Sequence, residues 1–166
     1  MTEKLQKEIK AFISSAERLV ILGIGNPDKG DDAAGPLCID LIKACLDKDL
    51  PPCVRVINAG VMPENYTGDI RKFQASHVLI IDAVIHGKKP GTIFKVDPKG
   101  IINEDVSTHR MPLSMFALFI NDNIGANVFI IGIEPKVIDF DTAASKIVYK
   151  SIRTLVQNIA LSIRSI

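Results

Sequence analysis

The strongest constraint on the fold lies in residues 19–36, whose sequence is LVILGIGNPDKGDDAAGP. A short aliphatic run that ends in glycine is typical of a buried parallel strand followed by a tight turn. Two adjacent aspartates, Asp31 and Asp32, then precede an apolar-periodic segment at 37–46 that predicts a helix. We therefore expect the two carboxylates between a strand end and a helix start, where open α/β sheets place their ligand sites.

The length of 166 residues favours one domain with a substantial core and is short for two. The 20 basic and 19 acidic side chains are mixed along the chain, and the formal charge of +1 argues against a nucleic-acid binder. No stretch approaches the roughly 18 consecutive apolar residues of a membrane span. The charged N-terminus lacks the apolar segment of a signal peptide. We expect a cytoplasmic protein that does not insert into membranes.

Strand-like and helix-like segments alternate along the rest of the chain. The predicted strands are 19–24, 54–58, 78–82, 92–96 at a sheet edge, and 127–133. The predicted helices are 3–16, 37–46, a short or irregular one within 63–73, one at 112–121 with Pro112 in its first turn, and 142–163. This alternation predicts an α/β fold, a single-domain three-layer sandwich with a mostly parallel twisted sheet of about five strands and helices on both faces. The domain is expected to span residues 1–166, with 1–17 as an additional N-terminal helix.

Candidate functional side chains follow the predicted strands. Asp31 and Asp32 come after the first strand, Asp82 ends the third, and His109 lies in a later polar loop that can reach the same sheet edge. Two carboxylates and one imidazole form a plausible three-ligand site for zinc or nickel with positions left open for substrate or water. Each residue also has an ordinary interpretation. The aspartates after the first strand suit helix N-caps, Asp82 a turn acceptor and His109 a solvated loop.

Other motifs are weaker. The glycine-rich turn begins like a dinucleotide fingerprint but has Asp28 where the third glycine belongs, and its acids would repel a phosphate. A nucleotide- or phosphate-binding module is nevertheless the alternative function. His77 precedes a strand at the opposite edge and is expected to be structural or solvated. The remaining expectations are that His86 lies in an exposed turn, that Glu64 and Asp69 lie on a solvated face, and that Cys38 and Cys45 are buried on one helical face.

Several motifs together resemble a known family. They are Gly23-x-Gly25-Asn26, Gly30-Asp-Asp32-x-x-Gly35, Leu-Ile-Ile-Asp82-Ala83 and Thr108-His109-x-Met-Pro-Leu113. In this order and spacing they resemble the hydrogenase maturation endopeptidases over about residues 19–149. Pro63-Glu-Asn65 and His109-x-Met-Pro-Leu113 are similar to the branch that processes hydrogenase-3-type large subunits.

The resemblance implies a specific activity. Members of the family remove the C-terminal extension of a NiFe-hydrogenase large-subunit precursor after nickel insertion, so the implied partner is this precursor and the implied cofactor is nickel, supplied by the substrate. The family's metal-contacting residues correspond to Asp32, Asp82 and His109, which would also be the catalytic ones, with Asp31 as a helix cap. We expect a monomer, with Met62, Met111 and Met115 on the rim of the cleft. A metal-dependent chaperone that binds the same precursor without cleaving it is a third hypothesis.

Overall fold

The computed structural model describes residues 1–98 and 112–166 of the chain, which form a five-stranded sheet between two layers of helices. The strands are β1 (Leu19–Ile24), β2 (Val54–Gly60), β3 (His77–Ala83), β4 (Ile93–Val96) and β5 (Asn127–Ile133). The helices are α1 (Glu3–Ser14), α2 (Ala34–Leu46), α3 (Thr67–Lys72), α4 (Leu113–Phe119) and α5 (Lys146–Ile163). The predicted α/β class is confirmed.

The central strands are apolar on both faces, which explains the two helical layers. All six residues of β1 and all seven of β3 are buried. Because successive side chains of a strand point to opposite faces, Leu19 and Ile21 pack in the core with α1, α2 and α5, whereas Val20 and Leu22 pack with α3 and α4. Helices are therefore required on both sides of the sheet.

The strand order is β2-β1-β3-β5-β4, with β4 antiparallel to β5 at one edge and the other neighbouring pairs parallel. From β1 the chain runs first to β2 on one side and then to β3 on the other. The connections therefore diverge between β1 and β3, and such a switch point leaves a crevice outside the carboxyl ends of the two strands. The edge position predicted for the fourth strand is confirmed.

Three predicted helix starts were wrong. Helix α2 begins at Ala34 rather than at residue 37. The last helix begins at Lys146 rather than at Thr142, because the Thr142 carbonyl accepts a hydrogen bond from the Gly30 N–H at 3.0 Å and Ser145 is the N-cap. Helix α4 begins one residue after Pro112, whose ψ of 135° is extended. This helix then widens into a π-helical turn, Ile120–Ile124, that ends at Gly125.

His77 begins β3 at the end of the sheet away from the strands' carboxyl ends, and the C-terminal end of α1 packs beside it. Leu5, Ile9 and Ile13 of α1 are buried in the sheet's core. The His77 ring contacts the Ser15 hydroxyl through Nε2 at 3.2 Å and lies 4.8 Å, centroid to centroid, from the Phe12 ring. A structural role for His77 therefore fits the packing. Within residues 1–98 and 112–166, no helix combines the length and apolarity needed to cross a membrane.

Candidate active site

The two predicted carboxylates lie at the carboxyl ends of adjacent strands, beside the switch point. In the β1–β3 register Gly23 pairs with Ile81, so Asp82 is one residue beyond the last pair. Asp32 follows β1 in a short 3-10 helix, Gly30–Ala33, which leads into α2. Their side chains are almost entirely buried, with exposures of 2% for Asp32 and 1% for Asp82. Buried carboxylates at such an edge are more typical of a site than of a solvated turn.

The backbone at the start of α2 packs directly against the ends of β1 and β3, with no side chain between them. A Cβ atom on Gly35, in the first turn of α2, would lie 2.1 Å from the Ile24 carbonyl oxygen and 2.6 Å from that of Ile81. Only glycine permits this contact between a helix and two strand ends. The contact fixes the segment that carries Asp32 above β1 and β3.

The turn after β1 holds the Asp32 side chain directly. The Asn26 N–H donates a hydrogen bond to Asp32 Oδ2 at 3.0 Å. Gly25 has a φ of 140°, and a Cβ atom there would overlap the Asp32 carbonyl oxygen. The turn therefore packs against Asp32. Its Asn26 N–H, which a bound phosphate would need as a donor, already donates to the Asp32 carboxylate.

We had expected Asp31 to cap the following helix, but its side chain does not do so. Its Oδ2 accepts hydrogen bonds from the N–H groups of Lys136 and Val137 at 2.8 and 3.1 Å and from the Ser145 hydroxyl at 2.9 Å. Its Oδ1 accepts one from the Ser145 N–H at 2.6 Å. The side chain is fully buried and joins the turn before α2 to the segment between β5 and α5. Asp31 is thus a structural neighbour of the candidate catalytic aspartate.

Glu134, a buried carboxylate just beyond β5, was not among the predicted site residues. The residue is 4% exposed, and both of its carboxylate oxygens accept from the His86 N–H, at 3.2 and 2.9 Å. His86 itself is exposed, as predicted, and its ring stacks on Phe94 at 5.3 Å. The Glu134 side chain therefore fixes the backbone that follows Asp82. The sequence did carry a signal for Glu134, because this acid directly follows the predicted strand 127–133.

Glu64 does not lie on a solvated face. It is in the 3-10 turn Pro63–Tyr66 after β2, and the residue is half-buried. Its Oε2 atom is inaccessible to solvent and has no hydrogen-bond partner among the described residues. Asp69, by contrast, is exposed as expected.

The third predicted ligand, His109, lies outside the described residues, as does Met111. Over residues 1–98 and 112–166, no group of three or more His, Cys, Asp or Glu side chains is arranged to hold a metal. Of the expected rim residues, Met62 is 38% exposed and Met115 is 58% exposed. The described part of the site thus supplies two buried carboxylates, which can ligate a metal or accept a proton.

Comparison with known proteins gives consistent similarities. A family described as hydrogenase maturation protease, HycI, matches residues 39–162. The hydrogenase 3 maturation protease of Escherichia coli K12 is 33% identical over 141 residues, which are 84% of this chain and 87% of that protein. A crystal structure of the [NiFe] hydrogenase maturation protease HycI from Thermococcus kodakarensis has a TM-score of 0.84 and 32% identity, covering 95% of this chain and 99% of that one. The solution structure of an endopeptidase HycI from Escherichia coli has a TM-score of 0.74 and 30% identity, covering 86% and 89%.

Proposed function

The chain belongs to the hydrogenase maturation proteases, a family of endopeptidases, and from this premise we propose that it removes the C-terminal extension of a NiFe-hydrogenase large-subunit precursor after nickel insertion. The observation that carries the proposal is the burial of Asp32 and Asp82 at the carboxyl ends of neighbouring strands. The nickel belongs to the substrate in this scheme. The protease recognises it as a sign that the precursor is loaded.

Asp32, Asp82 and His109 are proposed as the residues that contact the precursor's nickel. Carboxylate oxygen and imidazole nitrogen are both accepted ligands for this metal. Two carboxylates and one imidazole would bind a free ion weakly, so the protease is expected to meet nickel chiefly within its substrate. The two buried aspartates are preorganised for this contact, because their backbone segments are fixed by Gly35 and by the Asn26 N–H.

Two routes to hydrolysis fit these residues. The nickel can polarise the scissile carbonyl or lower the pKa of a bound water, which then attacks the carbon. Alternatively, Asp32 or Asp82 can act as the general base that takes a proton from the attacking water. The sequence contains no recognisable Ser/His/Asp or Cys/His arrangement, which favours direct attack by water over a covalent intermediate.

The phosphate-binding alternative has little physical support. A phosphate at the start of α2 would face the buried carboxylates Asp31 and Asp32, and the Asn26 N–H already donates to Asp32. The chaperone alternative uses the same site and differs only in whether a peptide bond is broken. Cleavage itself must therefore be measured.

The decisive experiment compares nickel-loaded and nickel-free precursor after incubation with the purified protein, using intact-mass analysis. We expect loss of a C-terminal peptide from the nickel-loaded form only. Cleavage of both forms would contradict the role of nickel. Binding without cleavage of either form would contradict the protease activity on this substrate and favour the chaperone alternative.

A further inference from the structure

We propose that Glu64 is a substrate-binding residue whose carboxylate accepts a hydrogen bond from an N–H group of the precursor. This inference rests on the proposed function, since it concerns how the same site holds the same substrate. It assigns a role to the Pro63-Glu-Asn65 segment, which neither the fold nor the metal-contacting residues require.

One oxygen of the Glu64 carboxylate is buried and is unpaired among the described residues. Glu64 Oε2 is shielded from solvent and has no hydrogen-bond partner in residues 1–98 and 112–166. An inaccessible carboxylate oxygen without a donor is unfavourable, because the lost hydration is not replaced. Within its own turn, Glu64 accepts from the Thr67 hydroxyl only through its backbone carbonyl. The side chain therefore has an unused acceptor.

The position of Glu64 in the fold also supports a role in substrate binding. Glu64 follows β2, the neighbour of β1, so it lies at the sheet edge that carries the candidate site. The Gly25 N–H donates to the Gly60 carbonyl at 2.9 Å, which joins the end of β2 to the turn that packs on Asp32. The turn that carries Glu64 therefore follows a strand end that is bonded to the turn holding Asp32.

The surface beside Glu64 is apolar and exposed. Val61 and Met62, which immediately precede the turn, are 42% and 38% exposed. Exposed apolar side chains next to an acceptor that is unpaired within the described part of the chain suit a bound peptide, whose side chains would cover the apolar surface. Since Glu64 is only half-buried, a rotation of its side chain would present the carboxylate to an N–H of that peptide. The donor is either a cationic side chain or a backbone amide of the precursor.

The test compares Glu64→Gln and Glu64→Ala with native protein, and Asp69→Asn serves as the control because Asp69 is an exposed acid on the adjacent helix. We expect Glu64→Ala to raise KM for the nickel-loaded precursor about tenfold, with kcat changed less than about twofold. Glu64→Gln keeps an acceptor but removes the charge. It should match Glu64→Ala if the donor is cationic and keep more affinity if the donor is a backbone amide.

Thermal unfolding separates a binding role from a structural one. Because Glu64→Gln removes an unpaired charge, we expect its Tm to equal or exceed the native value. A clear loss of Tm together with the loss of affinity would overturn the proposal. Native KM in both Glu64 variants would overturn it as well.

Dissociation constants for nickel-loaded and nickel-free precursor keep this proposal distinct from the proposed function. If the native chain binds the precursor without shortening it, the cleavage fails, while weaker binding by the Glu64 variants still supports the Glu64 proposal. If the native chain binds neither form, both proposals are overturned.

Discussion

The Asp31 carboxylate accepts hydrogen bonds from both the N–H and the hydroxyl of Ser145, a residue 114 positions later in the chain. Through these bonds the turn before α2 and the cap of α5 become one unit. Asp32 lies in that turn, so its orientation depends on a contact with the far end of the sequence.

Replacing Asp31 by alanine should destabilise the protein by about 3 kcal/mol, because the N–H groups of Lys136, Val137 and Ser145 lose their buried acceptor. Urea unfolding monitored by circular dichroism measures the change. Asp28→Ala is the matched control, since Asp28 is an exposed acid in the same turn. Equal stability of the two variants would show that the Asp31 network contributes little.

Neutralising either buried aspartate should abolish processing without unfolding the chain. We expect Asp32→Asn and Asp82→Asn each to lower the cleavage rate of nickel-loaded precursor by about 100-fold or more, since each removes a charge that is proposed to contact the metal or to accept a proton. Intact-mass time courses give the rates, and circular dichroism checks the fold. Asp28→Asn should cleave at the native rate, and a variant of Asp32 or Asp82 that did the same would contradict its assignment.

Replacing either of two glycines by alanine should change the stability of the protein, but in opposite directions. Gly35→Ala should destabilise by about 3 kcal/mol, because the new Cβ would overlap the Ile24 and Ile81 carbonyl oxygens. Gly68→Ala should stabilise by about 0.5–1 kcal/mol, since Gly68 is in α3 with no atom within 4 Å of the added Cβ. Urea unfolding of both variants tests this contrast, and similar shifts would contradict the packing of α2 on the strand ends.

Stability should fall as the pH drops from about 7 to 5.5, in part through His77. Burial lowers the pKa of this imidazole below its ordinary value of 6.5, and the nearby Glu17 opposes the shift. The unfolded chain therefore binds the proton more readily than the folded chain. The contribution of neutral His77 to stability is present above the pKa of the unfolded state and is lost on acidification. The urea midpoint of His77→Gln should depend less on pH over this range. His86→Gln, an exposed control, should retain the native dependence.

The three cysteines should differ in reactivity. Cys38 is fully buried, and burial raises the pKa of its thiol strongly, whereas Cys45 is exposed and Cys53 is half-buried. Iodoacetamide should therefore modify native protein at Cys45 before Cys53 and leave Cys38 unmodified, as peptide mapping can show. Cleavage should be unaffected by this alkylation, and loss of activity would indicate a cysteine in the site.

Local patterns predicted much of the fold. The bounds of β1 and β5 were predicted correctly, because aliphatic runs that end at glycine or at polar residues have few alternatives. Cys45 was wrongly expected to be buried, although it shares the helical spacing of Cys38. It lies in the last turn of α2, where the covering layer ends. Periodicity identifies which residues share a helical face, but it does not show how many of them are covered by neighbouring elements.

Site residues could be predicted from the sequence only where their position relative to a predicted strand placed them at the site. Asp32 follows β1 and Asp82 lies near the end of β3, and parallel strands bring their carboxyl ends to one edge. The partners of Asp31 and the burial of Glu64 had no local signature, because they depend on segments that meet only after folding. An acid in a polar stretch has the same sequence pattern whether or not a neighbouring turn covers it.

The sheet order also limits when the enzyme becomes functional during synthesis. Among the described elements, β4 pairs only with β5, which is made later and inserts between β3 and β4. A nascent chain that ends before β5 therefore lacks the strand that adjoins Asp82, and it also lacks Ser145. Ribosome-bound fragments that end before β5 should therefore be inactive.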